Sequence, residues 1–140
     1  MRPERDAGGA QVDYQQVRLV AIVAVGGALG TVLRYGVSGW LTRGDFPWGT
    51  FAVNFSGTFL LALAYFAFLD RGFFSPESRG FLFIGLFGGY TTYSTYGLET
   101  VTFLREGQWA WAGLNIFLNA GVCLVGAVLG ALAATALGGQ

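Results

Sequence analysis

The chain has 140 residues, of which 54% are hydrophobic and 11% are charged, and its formal net charge is zero. An ordinary soluble domain carries about 25% charged residues, so this composition argues against a soluble protein and favours a membrane protein. All eight basic residues are arginines, histidine is absent and there is one cysteine. The sequence therefore offers no basic patch for nucleic acid and few of the nucleophiles, bases and metal ligands that an enzyme needs.

Four stretches with at most one charged residue predict four transmembrane helices. A span needs about 20 mostly apolar residues to cross a hydrocarbon core of about 30 Å. We predict the spans at Leu19–Leu41, Phe51–Leu69, Gly80–Leu104 and Gln108–Leu137. Residues 1–17 are polar and mixed in charge, which predicts a flexible tail and not a cleavable signal peptide. Residues 18–140 are expected to form a single four-helix transmembrane domain.

The arginines give only a weak orientation in the membrane. An N-terminus inside the cell puts Arg2, Arg5, Arg18, Arg71 and Arg79 inside and Arg43 and Arg105 outside. This is a modest preference in the positive-inside sense, and it nearly vanishes without the tail arginines. Insertion in both orientations, in the cell (plasma) membrane, is therefore a hypothesis for this chain.

The first span combines small residues with one charge. Gly26, Gly30 and Arg34 follow one another at intervals of four, which places them on one helical face. Glycines on such a face favour close helix packing. A charge inside a span must face protein, water or an interface. Arg34 is predicted to be either a structural anchor bonded to backbone carbonyls or an element that draws anions toward a vestibule.

Two spans carry matching polar stripes at intervals of four residues. The second span has Thr50, Asn54 and Thr58, and the fourth has Asn115, Asn119 and Cys123. Neutral polar groups in a span either hold helices together or line a pathway, and the pairing of two such faces favours a lined pathway. Cys123 is expected to pack as a small residue.

The third span has an unusual middle, "GGYTTYSTYGLE". Gly88 and Gly89 are poor helix formers, and threonine and aromatic residues follow them, so the helix is predicted to break there. The break is either a kink filled by Ser and Thr side chains or unwound backbone whose carbonyls can hold a cation. Beyond it, Tyr93 and Tyr96 share a face and either pack or turn positive ring edges toward an anion.

Taken together, these segments closely resemble the Fluc (CrcB) family of fluoride channels. The matching stretches are "GGALGTVLRY", "WGTFAVNFSGTFL", "GLFGGYTTYSTYGLE" and the looser "NIFLNAGVCLVGAVLG", which follow the family order from about Gly26 to Gly130. The third stretch is the most specific of the four.

The resemblance implies an all-α membrane protein that works as an antiparallel dimer, with two fluoride pores along the subunit contact and a structural Na⁺ at the centre. By motif position, the carbonyls of Gly88 and Thr91 would hold that sodium. Arg34 and Glu99 match the family's conserved arginine and the acid after the break. The fluoride pore would be lined by Asn54, Tyr93, Ser94, Thr95, Tyr96, Asn115 and Asn119. The implied partners are fluoride, a second copy of the chain and the lipid bilayer.

The chain departs from the family at two positions. The family usually has two phenylalanines in the third motif, and here both are tyrosines, Tyr93 and Tyr96. Each tyrosine keeps most of the positive ring edge and adds a hydroxyl that can donate, accept or obstruct.

Other functions remain open at this point. The chain could be one subunit of a heterodimeric fluoride channel or a non-transporting assembly subunit. A small proton-coupled exporter of cationic compounds would need a deep carboxylate, whereas the first span offers Arg34. Passive transport is favoured because no acidic residue lies deep in the first, second or fourth span. An enzyme is the least favoured reading.

Overall fold

The computed structural model describes residues 13–69 and 72–137, and over these residues the chain is helical without a β-strand. The helices have the following bounds: α1, Tyr14–Leu41; α2, Trp48–Ala64, extended by a π-helical turn at Tyr65–Leu69; α3, formed by Pro76–Arg79, a π-helical stretch Gly80–Phe87 and a last turn Gly88–Tyr90; α4, Tyr93–Arg105; and α5, Trp109–Leu137, which is π-helical over Phe117–Val122.

Helix α1 begins at Tyr14, inside the segment predicted as a tail. The carboxylate of Asp13 accepts hydrogen bonds from the backbone N–H groups of Gln15 (2.9 Å) and Gln16 (3.4 Å), which caps the helix at this point. One turn later, Arg18 forms an ion pair with Glu77 at the start of α3 (3.2 Å). Residues 1–12 of the predicted tail and Arg71, on which the predicted orientation also depends, lie outside the described residues.

Within the described residues, three helices are long and apolar enough to cross a membrane: Tyr14–Leu41, Trp48–Phe68 and Trp109–Leu137. They agree with the first, second and fourth predicted spans. The third predicted span, Gly80–Leu104, is divided between α3 and α4 by the two extended residues Thr91 and Thr92. The predicted break is therefore confirmed, and neither half is by itself a span.

Glycines bring α1 and α3 into backbone contact. A Cβ on Gly26 would lie 2.5 Å from the carbonyl oxygen of Phe81, and one on Gly85 would lie 2.7 Å from that of Val23. Gly30 is buried against the backbone of the last turns of α3. The predicted packing role of Gly26 and Gly30 is confirmed, because any larger residue would force the two helices apart.

Helices α2 and α5 form the second close pair. Gly126 lies under the ring of Phe55, where a Cβ would come within 2.9 Å of a ring carbon, and Gly130 meets the backbone at Phe59. Helix α4 packs on the first turns of α5. The loop before α2 is fixed by Phe46, which is 2% exposed and stacks on Phe103 of α4. These two helix pairs and α4 bring the polar stripes of α2 and α5 to the broken span.

Candidate functional site

The break in the third span consists of two residues in extended conformation. Thr91 has φ −79° and ψ 156°, and Thr92 has φ −148° and ψ 114°. The hydroxyl oxygen of Thr92 accepts a hydrogen bond from the backbone N–H of Thr95 (3.2 Å), so Thr92 is the N-cap of α4. The restart of the helix is thus encoded locally, by a threonine three residues before the N–H that it caps.

The side chain of Asn54 holds the break open from α2. Its carbonyl oxygen accepts from the backbone N–H of Thr92 (2.8 Å), and its amide nitrogen donates to the backbone carbonyl of Thr92 (3.0 Å). Both residues are buried, with 9% of Asn54 and 6% of Thr92 exposed. This two-bond contact satisfies backbone groups that would otherwise have no partner away from water.

These contacts release two backbone carbonyls from their helical bonds. In a continuous helix the N–H of Thr92 would donate to Gly88, and that of Thr95 would donate to Thr91. Here the first N–H is taken by Asn54 and the second by the hydroxyl of Thr92. The guanidinium of Arg34 donates to the carbonyl of Thr91 at 3.4 Å, so the predicted anchoring of Arg34 to a backbone carbonyl is present.

Carbonyl oxygens are chemically suited to a cation, and freed carbonyls of a broken membrane helix are typical sodium ligands. The carbonyl of Gly88 has lost its helical donor, whereas that of Thr91 already accepts from the guanidinium of Arg34 and keeps one further lone pair. Two oxygens are too few to replace the hydration shell of the ion.

Three asparagine side chains form one directed row of hydrogen bonds behind the break. Asn54 donates to the side-chain oxygen of Asn119 (2.8 Å), and Asn119 donates to that of Asn115 (2.8 Å) and to its backbone carbonyl (3.2 Å). Asn115 donates to the hydroxyl of Thr100 (3.0 Å) and to the carbonyl of Tyr96 (3.3 Å). Each amide has two N–H donors, and every one of them is occupied by a protein acceptor.

A larger open cavity of about 410 Å³ lies on one side of the break. Its lining includes both in-span charges, Arg34 and Glu99, and is otherwise rich in hydroxyls, with Thr31, Ser38, Thr50, Thr92 and Thr95. The hydroxyl of Thr50 donates to one carboxylate oxygen of Glu99 (2.6 Å). The other carboxylate oxygen is buried and has no partner among the described residues, and within that part of the chain no ion pair joins Arg34 to Glu99.

A smaller cavity of about 190 Å³ lies on the other side and contains both tyrosines. The rings of Tyr93 and Tyr96 meet edge to face, with centroids 5.2 Å apart and planes at 74°. Tyr93 is 82% exposed, so this cavity opens at the surface of the chain. The cavity is lined by Asn54, Thr58, Thr91, Thr92, Tyr93, Tyr96, Asn119 and Cys123. Cys123 is buried, as predicted.

Thr92 lines both cavities, so both reach the break. Most of the predicted site residues lie around this point. Three do not line either cavity: Gly88 lies in the last turn of α3, Asn115 is fully buried behind Asn119, and Ser94 is exposed on the first turn of α4, with its hydroxyl 3.4 Å from that of Thr92.

Sequence reasoning missed the roles of Thr92 and Thr100. Thr92 could have been found as an N-cap, since Thr92 and Thr95 have the spacing of a threonine cap and the residue it caps. Thr100 lies four residues after Tyr96, a spacing that allows its hydroxyl to bond to the Tyr96 carbonyl. No pattern in the sequence indicates that Asn115 joins them.

Residues 21–131 match the family described as "CrcB-like protein, Camphor Resistance (CrcB)". The chain belongs to the CrcB family. Family membership and the three membrane-spanning helices confirm the prediction of a multi-pass protein of the plasma membrane.

Several curated relatives, each named "Fluoride-specific ion channel FluC", are similar to this CrcB chain over most of its length. The protein of Rhodospirillum rubrum is 43% identical over 113 residues, which are 77% of this chain and 88% of the relative. That of Geobacter sulfurreducens is 42% identical over 121 residues, with 84% and 98% covered. That of Magnetococcus marinus is 38% identical over 115 residues, with 79% and 93% covered.

Proposed function

We propose that this CrcB chain forms a passive, fluoride-selective channel that exports fluoride and so lowers its toxicity. The relatives that are about 40% identical to it over the aligned residues are named as fluoride-specific ion channels. The observation in the structure that best supports the proposal is that two hydroxyl-lined cavities both reach Thr92, beside a helix break. Passive transport agrees with a lining made mainly of neutral polar groups.

Hydroxyl groups are the donors that fluoride would meet first. All the amide N–H groups of Asn54, Asn115 and Asn119 already have protein acceptors. Among the described residues, the hydroxyl hydrogens of Thr95, Tyr93 and Tyr96 have none. In this proposal fluoride exchanges its hydration water for these hydroxyls, and Asn54 takes part only when the ion replaces one of its acceptors.

In this proposal, Arg34 and Glu99 have opposite effects on an anion in the larger cavity. Arg34 raises the local concentration of anions, but its bond to the carbonyl of Thr91 keeps it at the wall of the cavity. Glu99 repels anions, and its bond from Thr50 holds one of its oxygens away from the open space. An ion that moves through this cavity is attracted without being bound tightly, as conduction requires.

We propose further that the working unit is an antiparallel homodimer with two pores. Large apolar side chains of α1, α4 and α5 are exposed, among them Val32 (68%), Leu98 (70%) and Leu124 (66%), and the smaller cavity opens beside exposed Tyr93. A second copy would close that opening and supply two further carbonyls to a central Na⁺. Helices α3 and α4, the two halves of the third predicted span, would then cross the membrane together, with the break at mid-membrane.

Efflux of fluoride from liposomes that contain only this purified chain tests the proposal, with chloride-loaded liposomes as the control. We expect fast release of fluoride and no release of chloride. Release of both ions would contradict a selective channel. No release from well-folded protein would contradict a self-sufficient homodimer, and activity restored by a second, related chain would then identify a heterodimer.

The Glu99→Gln variant separates a channel from a proton-coupled exporter in the same assay. A coupling acid cannot be neutralised without loss of all transport, whereas a channel should still release fluoride when Glu99 is neutral. Complete loss of release in well-folded protein would contradict passive conduction.

A further inference from the structure

The backbone carbonyl of Tyr96 is the point where α4 is fastened to α5. It accepts hydrogen bonds from the hydroxyl of Thr100 (2.8 Å) and from the side-chain amide of Asn115 (3.3 Å). The contact is buried, with 8% of Thr100 and none of Asn115 exposed. Thr100 lines neither of the two cavities, so its hydroxyl does not face an ion that passes through them.

The carbonyl of Tyr96 and the hydroxyl of Thr100 together hold the amide of Asn115. The hydroxyl donates its hydrogen to the carbonyl of Tyr96, so its lone pairs are left to accept from Asn115 (3.0 Å). The carbonyl can only accept, so a reversed amide would turn its oxygen toward the oxygen of Tyr96. The N–H groups of Asn115 therefore point toward α4, and Thr100 supplies one of their two acceptors.

The orientation of Asn115 agrees with that of the next two amides. With its nitrogen turned to α4, its side-chain oxygen is left to accept from Asn119. The oxygen of Asn119 then accepts from Asn54, whose own direction is also held by the backbone N–H of Thr92. A hydroxyl outside both cavities thus supports the buried end of a row that reaches the wall of the smaller cavity.

We propose that Thr100 is a positioning residue for conduction: it anchors Tyr96 and holds Asn115 in place at the buried end of the amide row. Its effect is on the rate at which each open channel passes the ion. This inference rests on the proposed fluoride channel, since the conducted ion is the one that the oriented groups meet.

The test compares three variants in fluoride efflux from liposomes. Thr100→Val removes the hydroxyl at nearly constant shape, and Thr100→Ser keeps it. Thr102→Val is the matched control, because Thr102 makes the same bond within α4, to the carbonyl of Leu98 (3.0 Å), but is exposed and receives no bond from an amide. At low protein density, the fraction of liposomes that empty counts the active channels, and the time course of release gives the rate per channel.

We expect Thr100→Val to lower the rate per channel by about fivefold, since a buried hydrogen bond contributes about 1 kcal/mol and about 1.4 kcal/mol is a factor of ten. Thr102→Val should stay near the wild type, and Thr100→Ser should recover most of the rate. An unchanged rate in Thr100→Val would overturn the inference, and so would a loss confined to the number of active channels, which would show a purely structural role.

A second measurement keeps this inference distinct from the proposed function. The side-chain amide NMR signals of Asn115 and Asn119 in isotope-labelled protein report the hydrogen bonds of the amide row directly. We expect Thr100→Val to shift both and Thr102→Val to shift neither; an unmoved Asn119 signal would overturn the inference. A wild-type chain that releases no fluoride would overturn the role in conduction together with the proposed function, even if these shifts are seen.

Discussion

Replacing Asn54 by alanine should destabilise the protein and allow the third span to close. The substitution removes three hydrogen bonds, from the Thr92 N–H (2.8 Å), to the Thr92 carbonyl (3.0 Å) and to the oxygen of Asn119 (2.8 Å). At a net value of about 1 kcal/mol each, the loss is about 3 kcal/mol. If the freed N–H of Thr92 returns to the carbonyl of Gly88, about 1 kcal/mol is recovered, which leaves a net cost of about 2 kcal/mol.

Two measurements distinguish the loss of stability from the closing of the break. Denaturant unfolding of the purified protein gives the change in free energy, and the backbone amide signal of Thr92 reports whether it has joined a continuous helix. We also expect fluoride release to fall sharply, because the break no longer keeps its shape. Thr58→Val is the control, since Thr58 lies one turn along α2 and lines the same cavity but makes no hydrogen bond to the break. An Asn54→Ala variant with wild-type stability and an unmoved Thr92 signal would refute the reasoning.

Other predictions concern packing, the aromatic pair and pH. Gly85→Ala should lower the free energy of unfolding by a few kcal/mol, because its Cβ would meet the backbone of α1 at 2.7 Å. Gly97→Ala, with open space around it, is the control and should be neutral. Equal effects of the two substitutions would contradict the close contact. Conversion of both Tyr93 and Tyr96 to Phe should lower fluoride release, because it removes two of the three hydroxyl donors that the ion meets in the proposed pathway; unchanged release would show that the ring edges suffice. Hydrogen bonds from its own backbone N–H and from a serine hydroxyl hold the pKa of Glu77 below its usual range. The ionised Glu77 should therefore stabilise the protein fully above the ordinary carboxyl pKa, and this contribution should disappear as the pH falls through the lowered value. Glu77→Gln should then weaken the dependence of the free energy of unfolding on pH at acid pH. An unchanged dependence would contradict this.

The helices and the break could be predicted because their causes are local. Apolar stretches of the right length mark the spans, and the glycines and threonines from Gly88 onward interrupt a helix wherever they stand. The stripes on α2 and α5 also follow from spacing alone. The early start of α1 was missed because one capping residue, Asp13, overrides the polar composition of the turn that follows it.

The bonds that define the site could not be predicted, because they join residues that are distant in sequence. Asn54 and Thr92 are 38 positions apart, and Asn54 and Asn119 are 65 positions apart. A stripe of amides predicts donors on a face, but only the packed side chains show that these donors are already occupied. For the same reason, spacing alone could not assign Thr100 a part in the site.

The opening of the third span depends on a residue that is synthesised earlier. Asn54 in α2 precedes Thr92 by 38 positions, so α2 would emerge first if the chain inserts as it is synthesised. Until the two segments meet, the backbone groups at Thr91 and Thr92 would cost several kcal/mol each in lipid if they were left without partners. The segment is therefore expected to enter the membrane as a continuous helix and to open only when it docks on α2. Because Asn54 and Thr92 belong to the same chain, this maturation step can be completed in either direction of insertion.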